Sequence, residues 1–252
     1  MEWPEWWNQK AVTISVCNLA ELGDDRFVKT NIGEFDQFIG GGFLPGSIYE
    51  LVGESASGKT NLALAISKEI VMQHYKVCYF STQKPLSVAR LQSMNLDSNC
   101  FVYRNAVSQD DKCRYFIQEL KSVIDCLEDV KLIVLDNIPE LFSDYENTPN
   151  GIKLRNTAIT KISVLLKHLS HNYGFGILII NNVTSDMHGA LNPKLGLIWT
   201  NMVTHRMFLS KQNTLRTLKI QYSSIVGPEN ELHFLINDQG IELCQGLSQQ
   251  FS

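Results

Sequence analysis

The chain has 252 residues, 44% of them hydrophobic, and a formal net charge of −4; that is enough apolar material for a large core without disulfide staples. The charge excludes a free-standing, strongly basic nucleic-acid binder, though not a local basic groove. The longest apolar runs, such as Phe175–Ile180, are far too short to span a bilayer.

The N-terminal stretch, residues 1–27, reads as an arm. Its start, Met1-Glu2-Trp3-Pro4-Glu5-Trp6-Trp7, is acidic and aromatic, unlike a secretory signal or a transit peptide. Trp3, Trp6, Trp7 and the apolar run Val12–Val16 suit either docking to a partner or packing back on the core. Residues 28–245 form the expected folded domain, with a tail at 246–252.

From residue 47 strands and helices alternate. Ser47-Ile48-Tyr49-Glu50-Leu51-Val52 predicts a buried strand, and Lys59–His74 a helix with Leu62, Ile66 and Ile70 on one face. Between them lies Gly53-Glu54-Ser55-Ala56-Ser57-Gly58-Lys59-Thr60, which fits G-x-x-x-x-G-K-[ST]. Small residues let successive backbone N–H groups turn inward as an anion nest. Lys59 then reaches the β- and γ-phosphates of a nucleoside triphosphate, and the Thr60 hydroxyl ligates Mg²⁺. A strand, a glycine loop and a helix N-terminus is the arrangement that phosphate capture requires.

Val77–Ser81 predicts a second strand, followed by a loop through Gln83 and a helix starting near Ser87. Lys112–Leu127 carries a helical stripe of Cys113, Phe116, Leu120, Ile124 and Leu127. Lys131–Asp136 is a third strand, and its run Leu132-Ile133-Val134-Leu135 delivers Asp136 at the carboxyl end, where open α/β sheets bind ligands. Asp136 is thereby expected beside the Mg²⁺ held by Thr60, through water. Asn156–His171 is an amphipathic helix with Ile159, Ile162, Leu166 and Leu169 inward, and Phe175–Asn181 a fourth buried strand. The pattern predicts right-handed crossovers and a mostly parallel sheet. Thr204–Ser210, Thr214–Tyr222, Glu231–Ile236 and Gly240–Leu243 then predict an antiparallel extension on one edge. The six cysteines, at 17, 78, 100, 113, 126 and 244, have no metal-ligand spacing and read as reduced core thiols of an intracellular protein.

Several of these stretches carry a resemblance. Gly40-Gly41-Gly42 before Pro45-Gly46-Ser47-Ile48, Tyr79-Phe80-Ser81-Thr82-Gln83 followed by Ala89-Arg90-Leu91, Asp136-Asn137, and Ile179-Ile180-Asn181-Asn182-Val183 resemble a RecA-family ATPase core. Leu195-Gly196-Leu197-Ile198-Trp199-Thr200-Asn201, Thr204-His205-Arg206-Met207-Phe208-Leu209 and Arg216-Thr217-Leu218-Lys219-Ile220 are similar to its eukaryotic branch, in particular to recombinase paralogues of the X-ray-repair cross-complementing type. The resemblance covers residues 28 to 243. It implies an α/β RecA-like P-loop NTPase that uses ATP and Mg²⁺, with Arg90 and Asn182 added to the ATP site. It also implies a nuclear role in homologous recombination and DNA repair, in a heteromer with another recombinase or paralogue. Single-stranded DNA would be contacted through loops 139–156 and 184–196.

Departures from the family pattern matter as much. The carboxylate that activates the attacking water is replaced by Gln83, which can orient a water but cannot take its proton. Asn182 stands where the family often carries a longer glutamine that senses the γ-phosphate. The two loops are poor in positive charge: Glu140, Asp144 and Glu146 face Lys153 and Arg155 in the first, and the second offers His188 and Lys194. Arg155 and Lys194 are the DNA-contact candidates, with modest affinity expected for so few cations. These features suggest an accessory subunit that helps a recombinase assemble on single-stranded DNA. A self-sufficient DNA-dependent ATPase or strand-exchange enzyme is the alternative, and a small-molecule P-loop kinase the third.

Overall fold

A computed structural model describes residues 26–109, 111–187, 189–237 and 240–244. After a short helix α1 (Gly33–Phe38), the core alternates: β1 (Tyr49–Gly53), α2 (Lys59–Met72), β2 (Lys76–Ser81), α3 (Val88–Ser93), β3 (Phe101–Asn105), α4 (Lys112–Cys126) and β4 (Val130–Asp136). A 3₁₀ turn (Ile138–Phe142), α5 (Pro149–Tyr173), β5 (Gly176–Ser185), β6 (Leu191–Pro193) and α6 (Gly196–Met202) follow. Then come β7 (His205–Gln212), β8 (Leu215–Tyr222), β9 (Glu231–Asn237) and β10 (Gly240–Leu243).

One sheet runs in the order β10-β9-β8-β7-β1-β5-β4-β2-β3, with β6 hung from β5. From β7 through β3 all neighbours are parallel, and β8, β9 and β10 add antiparallel. Period-2 alternation puts successive residues on opposite faces, so the sheet has two cores. Tyr49, Leu51, Val77, Tyr79, Leu178 and Ile180 pack against α2. Ile48, Cys78, Phe80, Ile133, Leu135 and Ile179 pack against α4, α5 and α6. Such two-sided burial explains the continuous apolar runs of the central strands.

The mostly parallel sheet and its antiparallel extension are as expected, with one refinement. Residues 205–210 form the join between the two parts: β7 pairs parallel with β1, His205 opposite Tyr49 and Leu209 opposite Gly53, and antiparallel with β8, Leu209 opposite Leu218. β7 thus opens the antiparallel hairpin on one side while its other side, largely buried, completes the parallel core. The strand β3 was not predicted, although Phe101-Val102-Tyr103 carries the aromatic and β-branched residues that favour strands.

The two presumed loops are also more ordered than expected. Residues 139–156 are largely helical, because Thr148 caps α5 by accepting from Gly151 N at 3.1 Å and Pro149 occupies the first turn. Lys153 and Arg155 therefore ride on α5. Residues 183–193 form a hairpin, Val183 opposite Pro193 and Ser185 opposite Leu191. Of the cysteines, 78, 100 and 113 are buried, but Cys126 is exposed at the end of α4 and Cys244 half-buried, so the core-thiol expectation fails for those two. Cys17 and His188 lie outside the described residues, as do residues 1–25 of the arm. Among the described residues no helix is long and apolar enough to cross a membrane.

Candidate functional site

The carboxyl ends of β1, β2, β4 and β5 meet around the loop 53–60. Gly53 ends β1, and a Cβ there would collide with Leu209 O of β7, so only glycine lets the loop leave the sheet at this point. Ala56 (φ 60) and Gly58 (φ 111) are both left-handed and curl the loop onto the N-terminus of α2, whose first residue is Lys59. Gly58 lies against Ile236 of β9, and a Cβ would clash with its Cδ1. The antiparallel extension thus helps to shape the loop, a role no sequence signal suggested.

Lys59 is buried, and its Nζ donates to Gly53 O at 2.8 Å and Glu54 O at 2.7 Å. Burial lowers its pKa to about 8, against the opposing pull of Asp136 and Glu54. Thr60 Oγ1 donates to Asp136 Oδ2 at 2.6 Å, and Tyr79 donates its hydroxyl to the same oxygen at 2.8 Å. Burial raises the Asp136 carboxyl above its ordinary value, while hydrogen bonds from Thr60 and Tyr79 hold it down. Thr60 and Asp136, expected on either side of a Mg²⁺, thus lie in direct hydrogen-bond contact. Tyr79 is the addition; its place on the strand that ends beside Asp136 was the only available signal.

Gln83 is exposed and accepts from Asn137 Nδ2 at 2.7 Å. Thr82 braces this corner, donating to Asn137 O at 2.6 Å and accepting from Asn137 N at 2.8 Å. Asn182 pairs in register with Gly53. Arg90, on α3, directs Nη1 and Nη2 at Asn237 O, each at 3.3 Å, one residue from the Ile236 that backs Gly58. Lys194 is exposed at the foot of the hairpin, and Arg155 is half-buried on α5.

The Rad51 family model matches residues 26–243. The chain belongs to the Rad51 family. It is 30% identical over 237 residues to the DNA repair protein XRCC3 homolog of Arabidopsis thaliana, an alignment covering 75% of this chain and 77% of that protein. It is 24% identical to the DNA repair and recombination protein RadB of Methanosphaera stadtmanae, over 88% of this chain and 98% of the relative. It is also 25% identical to the DNA repair protein RAD51 homolog 1 of Arabidopsis thaliana, over 84% and 68%. The RecA-like sheet and the family expected from the motifs are both established.

The residues present fit a magnesium nucleotide. The Ser57 hydroxyl is buried in the loop without a hydrogen-bond partner, a group that a phosphate oxygen would satisfy. Among the described residues no cluster of three His, Cys, Asp or Glu could hold a metal. A two-residue set of hydroxyl and carboxylate suits Mg²⁺, which completes its shell with water and substrate phosphates.

Proposed function

We propose that this chain is an ATP- and Mg²⁺-binding recombinase paralogue that serves as an accessory subunit in homologous recombination and DNA repair. In this reading it works in the nucleus and helps a recombinase assemble on single-stranded DNA. The names of its relatives, DNA repair and recombination proteins, support the process. The observation that carries the accessory role is Gln83, an amide at the water-activating position, tied to Asn137. ATP is held by residues 53–60, with Lys59 on the phosphates, Asn182 beside the loop and Arg90 at the site's margin. Thr60 and Asp136 hold Mg²⁺, which offsets phosphate charge when bound. The chain's own residues bind and orient, and Gln83 supplies no base. Measurement of ATP turnover with and without DNA tests this, and robust DNA-stimulated turnover would favour the self-sufficient enzyme instead.

Tyr79 fixes the Asp136 oxygen that Thr60 also uses. Tyr79→Phe removes one hydrogen bond to a charged acceptor and keeps the ring. It is expected to raise the Mg²⁺ concentration for half-maximal nucleotide binding about tenfold, with Mg²⁺-free binding unchanged. A titration with a fluorescent ATP analogue reads both.

The heteromer proposal rests on sparse charge. Arg155 and Lys194 are the only DNA contacts proposed, so neighbours must supply further phosphate contacts. The arm, with Trp3, Trp6 and Trp7, is the proposed docking element, since tryptophan buries a large area with few rotatable bonds. Deletion of residues 1–20 is expected to abolish co-purification with a recombinase partner and to leave ATP binding unchanged. A full-length chain that light scattering finds monomeric, and that binds single-stranded DNA tightly alone, would overturn this reading.

A further inference from the structure

Glu50 is the second residue of β1 and is fully buried. A carboxylate in a protein core is costly unless donors surround it. Three elements supply them here: Arg206 Nε from β7, Trp199 Nε1 from α6, and Asn181 Nδ2 from β5 at 2.7 Å. Arg206 is braced in turn, reaching Thr200 Oγ1 at 3.3 Å and lying 5.0 Å from the centre of the Tyr222 ring. All four side chains sit on the α4–α6 face of the sheet, where Ile48 and Ile179 would lead one to expect only apolar neighbours.

The node also grips the 183–193 hairpin at its base. Asn181 Nδ2 donates to Lys194 O at 3.0 Å as well as to Glu50. One residue on, Lys194 N donates to Asn182 O at 2.9 Å. The hairpin leaves the core at Asn181 and returns at Lys194, and the helix that follows carries Trp199 back to the same carboxylate. Its tip is exposed: Met187 is 98% accessible. Glu50 itself stands three residues before Gly53 in the strand that feeds the phosphate loop.

We infer that Glu50, acting through Asn181 and Trp199, positions the hairpin 183–193 relative to the phosphate loop. Both feet of the hairpin are referred to one buried oxygen pair on a strand that cannot shift without moving the loop. Stability alone does not explain the arrangement, because a buried ion pair is often no better than well-packed apolar residues of the same volume. Directional bonds fix an angle, which apolar packing leaves free. The inference concerns geometry; only its consequence for DNA rests on the hairpin contacting single strands.

Trp199→Phe removes the indole N–H and retains an aromatic ring, and Asn181→Ala removes the bridging amide. Hydrogen exchange measured across the full-length chain separates a local from a global effect. Amides of 183–195 are expected to exchange about tenfold faster, the loss of one bond to a charged acceptor, while those of α2 and β4 stay within about twofold. Binding of an ATP analogue should be unchanged and binding of a single-stranded oligonucleotide weakened. Unchanged exchange in the hairpin, or an equal rise throughout the molecule, overturns the inference. A local rise with unaltered oligonucleotide binding upholds the positioning role and removes the hairpin from the DNA-binding surface. If Asn181→Ala does not fold, Trp199→Phe carries the test.

Discussion

Lys59→Ala is expected to weaken ATP binding at least about 100-fold, the scale of losing two charge-assisted hydrogen bonds in a partly buried site. Two features make the expected loss large. The ammonium is enclosed by the loop, so its field is less screened than that of a surface lysine. It also braces the loop through Gly53 O and Glu54 O, so alanine removes a cation and a staple together. Folding should survive. Burial already penalises the charged amine, as its lowered pKa of about 8 records, and the apolar neighbours of α2 are untouched by the change. Equilibrium binding of a fluorescent ATP analogue, with a thermal melt as control, checks both halves. Unchanged affinity would sink the assignment of residues 53–60.

Much of this molecule is legible along the chain because local chemistry and global fold agree at most positions. Leu62, Ile66 and Ile70 predict the buried face of α2, and all three are fully buried. Thr60 and Asp136 are 76 residues apart, yet the glycine loop and the apolar strand each point to the carboxyl edge of the sheet, where they meet. What escapes the sequence is what depends on pairing between distant strands. The parallel register of β7 on β1 cannot be read from Thr204–Ser210, since a strand buried on both faces looks the same in either direction. The helical start at Pro149 was missed although Thr148-Pro149 is a cap followed by a first-turn proline. Glu50 and Arg206 had a signal that could have been used: Glu50 is a charge inside an otherwise apolar strand and Arg206 directly precedes the apolar run Met207-Phe208-Leu209, and charges are almost never fully buried unless paired. The partner identity still required the sheet order. Tyr79 gave only its place on the strand beside Asp136, and Ile236 gave no signal, because an aromatic or an isoleucine in a strand is ordinary core material until the loop beside it is known.

Gln83→Glu is expected to raise ATP turnover by about 10²-fold or more, since general-base assistance contributes about 10²–10⁴ in rate. The substitution suits the site sterically. Gln83 Oε1 accepts from Asn137 Nδ2, and a carboxylate oxygen can accept the same bond. Asn137 is in turn held by Thr82 on both its N–H and its carbonyl, so the corner that aims residue 83 does not depend on the amide that is lost. The side chain is exposed, and an exposed carboxylate stays ionised at neutral pH without a desolvation cost. ATP affinity should change little, because position 83 lies on the β2 side of the site and the phosphate loop is untouched. Gln83→Ala provides the contrast. If the wild-type amide contributes nothing to water activation, alanine leaves the low basal turnover where it is; if turnover falls, the glutamine is orienting the water and the chain is a weak hydrolase by design. Single-turnover phosphate release by all three proteins, with and without single-stranded DNA, reads these outcomes directly. A wild-type rate already high and DNA-stimulated would contradict the account of Gln83, and the accessory-subunit function with it.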